Sequence, residues 1–144
     1  MRIARARDGA SFDEPVVLAT PAADFREGMR VLAGAGRELA AGGEISAAFG
    51  GIAGPLDREK SMLVRASNIP GWVGKPLRAE LERALGCRVA LENDAALAGL
   101  GEAVAGAGKG FEIVAYVTVS TGVGGARIVD GRIDRNRFGF EIGH

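Results

Sequence analysis

Residues 88–119 constrain the fold most. Arg88-Val89-Ala90-Leu91 is a short aliphatic run bounded by Gly86 on one side and Glu92-Asn93-Asp94 on the other. Such a run between polar and turn residues reads as a short buried strand. The small-residue stretch 95–104 follows directly and predicts a helix. After the break Gly106-Ala107-Gly108-Lys109-Gly110, residues 112–119 (Glu-Ile-Val-Ala-Tyr-Val-Thr-Val) predict the clearest strand in the chain. Strand, helix and strand in succession argue for an α/β fold with a mixed sheet. Ligands in open α/β sheets sit beyond the carboxyl ends of strands. Asn93-Asp94 stands at such an end.

The flanking sequence fits the same class. Residues 1–7 and 15–19 are β-compatible, with Asp8-Gly9 as a turn signal. Asp24 and Glu27 resemble a capping box, and Phe25, Met29, Leu32 and Leu39 recur at helical spacing up to Gly42-Gly43. Residues 44–49 predict a strand running into Gly50-Gly51-Ile52-Ala53-Gly54-Pro55, and 62–66 a further one before the loop Ser67-Asn68-Ile69-Pro70-Gly71-Trp72. Pro76 suits the first turn of a helix whose face is Leu77, Leu81 and Leu85 and which Gly86 stops. The break at 106–110 sets an expected boundary between a lobe at 1–109 and the start of a second at 110–144. That second part opens as a hairpin centred on residues 122–125.

Composition narrows the partners. The 144 residues are 47% hydrophobic and 25% charged, enough for a real core. Lys plus Arg and Asp plus Glu number 18 each, so no net field draws nucleic acid or an anionic membrane. Arg127, Arg132, Arg135 and Arg137 are interleaved with Asp130, Asp134 and Glu141 and read as a solvated strand and turn. Cys87 is the single cysteine, which excludes an intrachain disulfide. With no apolar run of membrane-spanning length and no secretory signal, a cytoplasmic location is expected.

Several constellations can carry chemistry. A carboxylate at a strand end, such as Asp94, can accept a proton from a substrate hydroxyl, and Asn93 can both donate to and accept from one. Both are also preferred helix N-caps, so a capping role competes. Thr121-Gly122-Val123-Gly124-Gly125 lets backbone N–H groups approach phosphate oxygens, or forms a β-turn. Gly108-Lys109 is not a phosphate-binding Walker loop: Ala103 stands where its first glycine should be, and Gly110 where its Ser or Thr should be. Glu141 and His144, three apart, can face one ligand or be plain surface residues. Trp72 can stack on a sugar or fill the core.

Taken together, Gly50-Gly51-Ile52-Ala53-Gly54-Pro55, the loop 67–72, Glu92-Asn93-Asp94-Ala95, Gly99-Leu100-Gly101-Glu102, residues 106–110, Ser120-Thr121-Gly122-Val123-Gly124-Gly125 and Glu141-Ile142-Gly143-His144 occur in an order and spacing that resembles the ROK family (repressor, ORF, kinase). The resemblance covers essentially the whole chain. It implies an actin-like ATPase fold (ASKHA, RNase H-like), here the N-terminal lobe plus the first hairpin of the second. It also implies ATP-dependent phosphorylation of a hexose or hexosamine.

By the same resemblance Asp94 is the base, and Asn93, Glu141 and His144 are sugar ligands. Gly54 and Asn68 sit in loops that approach the sugar, and Thr121, Gly122, Gly124 and Gly125 form the second phosphate loop. ATP and Mg²⁺ are the implied cofactors of a complete protein, and a homodimer is compatible with the family. The family's opening Asp-x-Gly-Gly-Thr-Lys loop and downstream Cys-rich zinc motif are not in this sequence, and Ala96 stands where the family often has Asn. No metal ligand is therefore expected, and the chain reads as an enzyme piece with little activity of its own. A sugar-sensing ROK regulator and a non-catalytic sugar-binding domain are the alternatives; no basic recognition helix precedes Met1 in this sequence.

Overall fold

The computed structural model describes residues 1–9, 11–119 and 122–134. In chain order the elements are β1 (Arg2–Ile3), β2 (Val16–Val17), α1 (Phe25–Ala40), β3 (Ala47–Ile52), α2 (Leu77–Leu85), β4 (Arg88–Asn93), α3 (Asp94–Ala105), β5 (Ile113–Val119), β6 (Val123–Val129) and β7 (Arg132–Ile133). β1 and β2 pair antiparallel, β3 pairs with β4, and β5, β6 and β7 form an antiparallel sheet in that order. The expected α/β class holds.

The chain forms two compact units. One comprises Met1–Gly50 and Leu56–Leu91, the other Gly51–Pro55 and Glu92–His144. The division keeps α3 with the β5–β6 hairpin. The reason is packing: Ala96 and Ala103 on α3 are buried in one cluster with Ala126 and Ile128 on β6, flanked by Leu100, Val114 and Ile133. Residues 106–110 are a packed turn. The Gly106 and Gly108 N–H groups both donate to the Glu102 carbonyl (3.1 and 2.9 Å), and Ala107 N–H donates to Glu102 Oε2 (3.0 Å).

In the first unit, Asp24 caps α1 by accepting the Glu27 N–H at 3.0 Å. Ala41, in the left-handed region, ends the helix one residue before the paired glycines. Trp72 is 3% exposed. Its ring meets Phe25 edge-on at 5.8 Å between centroids, and its Nε1 donates to the Pro21 carbonyl at 2.9 Å. This settles Trp72 as core, not as a sugar platform. Helix α2 runs from Leu77, with Pro76 just before it and left-handed Gly86 after it.

Two strand expectations shift. The strand expected at 44–49 is β3 at Ala47–Ile52 and contains Gly50 and Gly51. A Cβ on Gly50 would lie 3.1 Å from Leu91 Cδ2, so the missing side chain lets β3 lie against β4. No strand forms at 62–66. Leu63 alone bridges Leu56 and Val73, and the following Val64 is exposed. The preceding loop is folded around Asp57, whose carboxylate accepts the Ser61 N–H, the Ser61 hydroxyl and the Met62 N–H at 2.6–3.0 Å. Burial raises the Asp57 carboxyl, but these bonds and Arg78 nearby outweigh it and hold the carboxyl below its ordinary range. Burial, with the Glu82 charge second, pushes the Cys87 thiol up, away from thiolate chemistry. Among the described residues, no helix is long and apolar enough to cross a membrane.

Candidate functional site

Strand β4 ends at Asn93 and α3 begins at Asp94 with no intervening loop. The cap is Asn93: its Oδ1 accepts the Ala96 N–H at 3.1 Å. Asp94 is thereby left in the first helical turn, where a negative charge suits the positive end of the helix dipole. Its Oδ1 accepts the Ala95 N–H at 2.9 Å, its side chain is exposed, and it makes no ion pair with a described residue. The capping role that sequence alone offered for Asp94 is carried by its neighbour.

Around this junction, four of the expected residues come together within one unit: Gly54, Asn93, Asp94 and Gly124. A Cβ placed on Gly51 would lie 3.6 Å from Asp94 Cα, so the end of β3 runs close beside the backbone of Asp94. Three residues on, Asn93 Nδ2 donates to the Gly54 carbonyl at 3.2 Å. Gly54 has φ 120°, a conformation that requires glycine. On the other side a Cβ on Gly124 would lie 3.3 Å from Ala95 Cβ. The glycine stretch of the hairpin is therefore packed against the first turn of α3.

The hairpin differs from the expected loop in one respect. Val119 pairs with Val123, Thr118 with Gly124 and Val117 with Gly125, so the last two glycines lie in strand β6 and Gly122 lies just before it. A Cβ on Gly122 would meet nothing within 4 Å, so the tip borders open space.

Asn68 is exposed in the loop before the 3₁₀ turn Pro70–Trp72 of the first unit. Thr121, Glu141 and His144 lie outside the described residues. A groove of about 980 Å³ in the first unit is lined by Asp24, Arg26, Met29, Pro70, Lys75 and Arg83 among others, and by none of the candidate residues. Gly51 and Leu97, whose Cδ1 would sit 3.1 Å from a Cβ on Gly51, are neighbours that sequence reasoning missed. The glycine pair Gly50-Gly51 was the available signal.

The family model described as "ROK family" matches residues 9–144. The chain is 40% identical over 105 residues to a glucokinase of Streptomyces coelicolor, covering 72% of this chain and 33% of that enzyme. It is 35% identical over 130 residues to an N-acetyl-D-glucosamine kinase of Vibrio cholerae, covering 88% of this chain and 43% of that one. A crystal structure of a ROK family glucokinase from Streptomyces griseus, in complex with glucose and AMPPNP, superposes with a TM-score of 0.78 at 30% identity. It covers 92% of this chain and 42% of that one, and the two share the actin-like ATPase fold. The chain thus spans between a third and a half of the length of these relatives. With its family model matched over nearly all of its residues, the chain belongs to the ROK family.

Proposed function

We propose that this chain carries the hexose-binding and base-bearing part of an ATP-dependent sugar kinase acting on a hexose or hexosamine. The observation that carries this is Asp94: an exposed carboxylate at the carboxyl end of β4, relieved of capping by Asn93 and without a cation partner among the described residues. Phosphoryl transfer asks little covalent chemistry of the protein; it asks for positioning and for a group that takes the hydroxyl proton. Asp94 accepts that proton, while Glu141, His144 and Asn68 contribute hydroxyl contacts and Gly54 shapes the loop at the β4–α3 junction.

The hairpin tip suits a nucleotide phosphate, because Gly122 borders open space where backbone N–H groups can approach an anion. Thr121, Gly122, Gly124 and Gly125 are the residues that would lie along it. ATP with Mg²⁺ supplies the phosphoryl group and the countercharge. The residues of this chain orient the acceptor hydroxyl and receive its proton at Asp94. The lobe boundary at 109/110 belongs to this proposal, as a property of the whole two-lobed kinase.

The test is made on residues 1–144 joined to the parts of the Streptomyces coelicolor glucokinase that lie outside its match to this chain. Asp94→Asn keeps the volume and an acceptor for the Ala95 N–H but cannot take a proton. We expect kcat to fall roughly 100-fold or more with glucose binding little changed and the melting temperature held. Equal rates at equal stability would remove Asp94 from the mechanism.

A further inference from the structure

The three-stranded sheet of the second unit ends in β5. Its order is β5-β6-β7, so among the described residues β5 has a strand on one side only. It pairs with β6 through its whole length, from Ile113 opposite Val129 to Val119 opposite Val123, one residue against one throughout. A free strand edge is a row of unpaired N–H and C=O groups. Proteins usually blunt it with a lysine, a proline, a bulge or a very short strand. β1, β2 and β7 are short, at two residues each. β5 has none of these devices: Ile-Val-Ala-Tyr-Val-Thr-Val carries no charge and no proline.

Its side chains divide between two faces. On one, Val114 packs against the cluster that α3 makes with β6, and Tyr116 Cβ lies where a Cβ on Gly99 would stand 2.9 Å away. On the other, Ile113, Val117 and Val119 are 52%, 53% and 77% exposed, and Val123 opposite Val119 is 46% exposed. An apolar face therefore borders the open edge.

We propose that this edge is an interface with a second copy of the chain, β5 pairing antiparallel with β5 about a two-fold axis at Tyr116. The strand is complementary to itself in that register. Ile113 stands opposite Val119 of the second copy, Val114 opposite Thr118 and Ala115 opposite Val117. Every pair joins residues of the same face, so the apolar face runs on across the axis and the α3-covered face does likewise. A two-fold axis requires a self-complementary patch of this kind. No charges are set against each other along the strand, and a formal net charge of zero leaves no long-range repulsion between copies. Nucleic acid or an anionic membrane would need cations that β5 lacks. The inference does not rest on the kinase reading.

The test uses the 144-residue chain in sedimentation and amide hydrogen exchange from about 10 µM to about 1 mM, the range in which open strand edges associate. We expect the mass to rise from one copy toward two. Exchange in β5 should slow by about tenfold or more at the top of that range, with α3 amides unchanged. Val117→Lys places a charge on the edge strand and should stay monomeric throughout, its melting temperature at the lowest concentration within about 2 °C of the parent. Adding Ala115→Glu sets Glu opposite Lys twice across the axis and should restore the association.

A chain that stays monomeric over the whole range would overturn the proposal. So would a dimer in which β5 exchange does not slow, since another surface would then hold it. β5 amides already slow in the monomer would show that the chain covers this edge itself, with the same result. A Val117→Lys and Ala115→Glu double variant that folds but stays monomeric would overturn the register.

Discussion

Gly28 on α1 lies against the indole of Trp72 so closely that a Cβ there would come within 2.2 Å of Cζ2 and 2.9 Å of Cε2. The helix accepts a poor helix former because the ring occupies the space. Gly28→Ala gains about 1 kcal/mol in helix propensity but overpacks a buried ring, which typically costs 1–3 kcal/mol. With Trp72 held by Phe25 and Pro21, the ring has little freedom to give way. The net outcome is a loss of about 1 kcal/mol or more, measured as a lower midpoint in urea at unchanged slope.

The Asp57 loop makes a pH-dependent contribution. Its folded carboxyl titrates below the ordinary value of 3.8. A depressed carboxyl stabilises the fold fully above the unfolded value, and that contribution is lost as pH falls through the folded one. Asp57→Asn keeps one acceptor oxygen but removes the charge that three donors face. At pH 7 it should destabilise by about 1–2 kcal/mol. The gap to the parent should close in a melting series taken from pH 5 down past 3.8. A gap constant across that series would show that the charge contributes nothing.

In the second unit the corresponding glycine is Gly99. A Cβ there would lie 2.9 Å from Tyr116 Cβ and 3.1 Å from Ala126 Cβ. Both neighbours sit on paired strands and cannot swing aside. Gly99→Ala should therefore lower stability by about 1–3 kcal/mol against its propensity gain of about 1. Gly101→Ala, where a Cβ meets nothing within 4 Å, should keep the gain and raise the melting temperature. Comparing the two melts isolates packing from propensity.

The 144-residue chain assayed by itself is expected to phosphorylate glucose far below ordinary turnover of about 1 s⁻¹. It holds only one of the two glycine loops that the family resemblance implies, and losing half of a phosphate cradle removes both positioning and charge stabilisation. A coupled assay reaching ordinary turnover would overturn this.

Much of this architecture was legible because several local signals agree. Asp24 with Glu27, Pro76 before Leu77 and Gly86 after Leu85 each mark a helix end by its own chemistry. Residues 112–119 name a strand outright, and the order of motifs names the family. What was illegible depends on distant partners. Gly50-Gly51 and Gly124-Gly125 look like turns, yet they lie in strands because Leu91, Ala95 and Leu97 approach where a side chain would stand. Residues 62–66 carry strand-forming types, but Leu63 finds only single-residue bridges on either side. In Asn93-Asp94, either residue can cap. Only the Ala96 N–H decides between them, and with it whether the Asp94 carboxylate is spared from capping. The Asn93–Gly54 bond spans 39 residues and has no local signature at all.

The turn at residues 106–110 has a mechanical consequence. Glu102 fastens it through backbone and side chain, and a Cβ on Gly108 would press to 2.8 Å on Val114, at the start of β5. α3 and β5 are thus joined without slack. The helix is 12 residues long, a stiff strut of about 18 Å with Asp94 at its far end. A helix end and a strand start fastened in this way move together, so a displacement of β5 is passed on to α3 instead of being absorbed in a flexible joint.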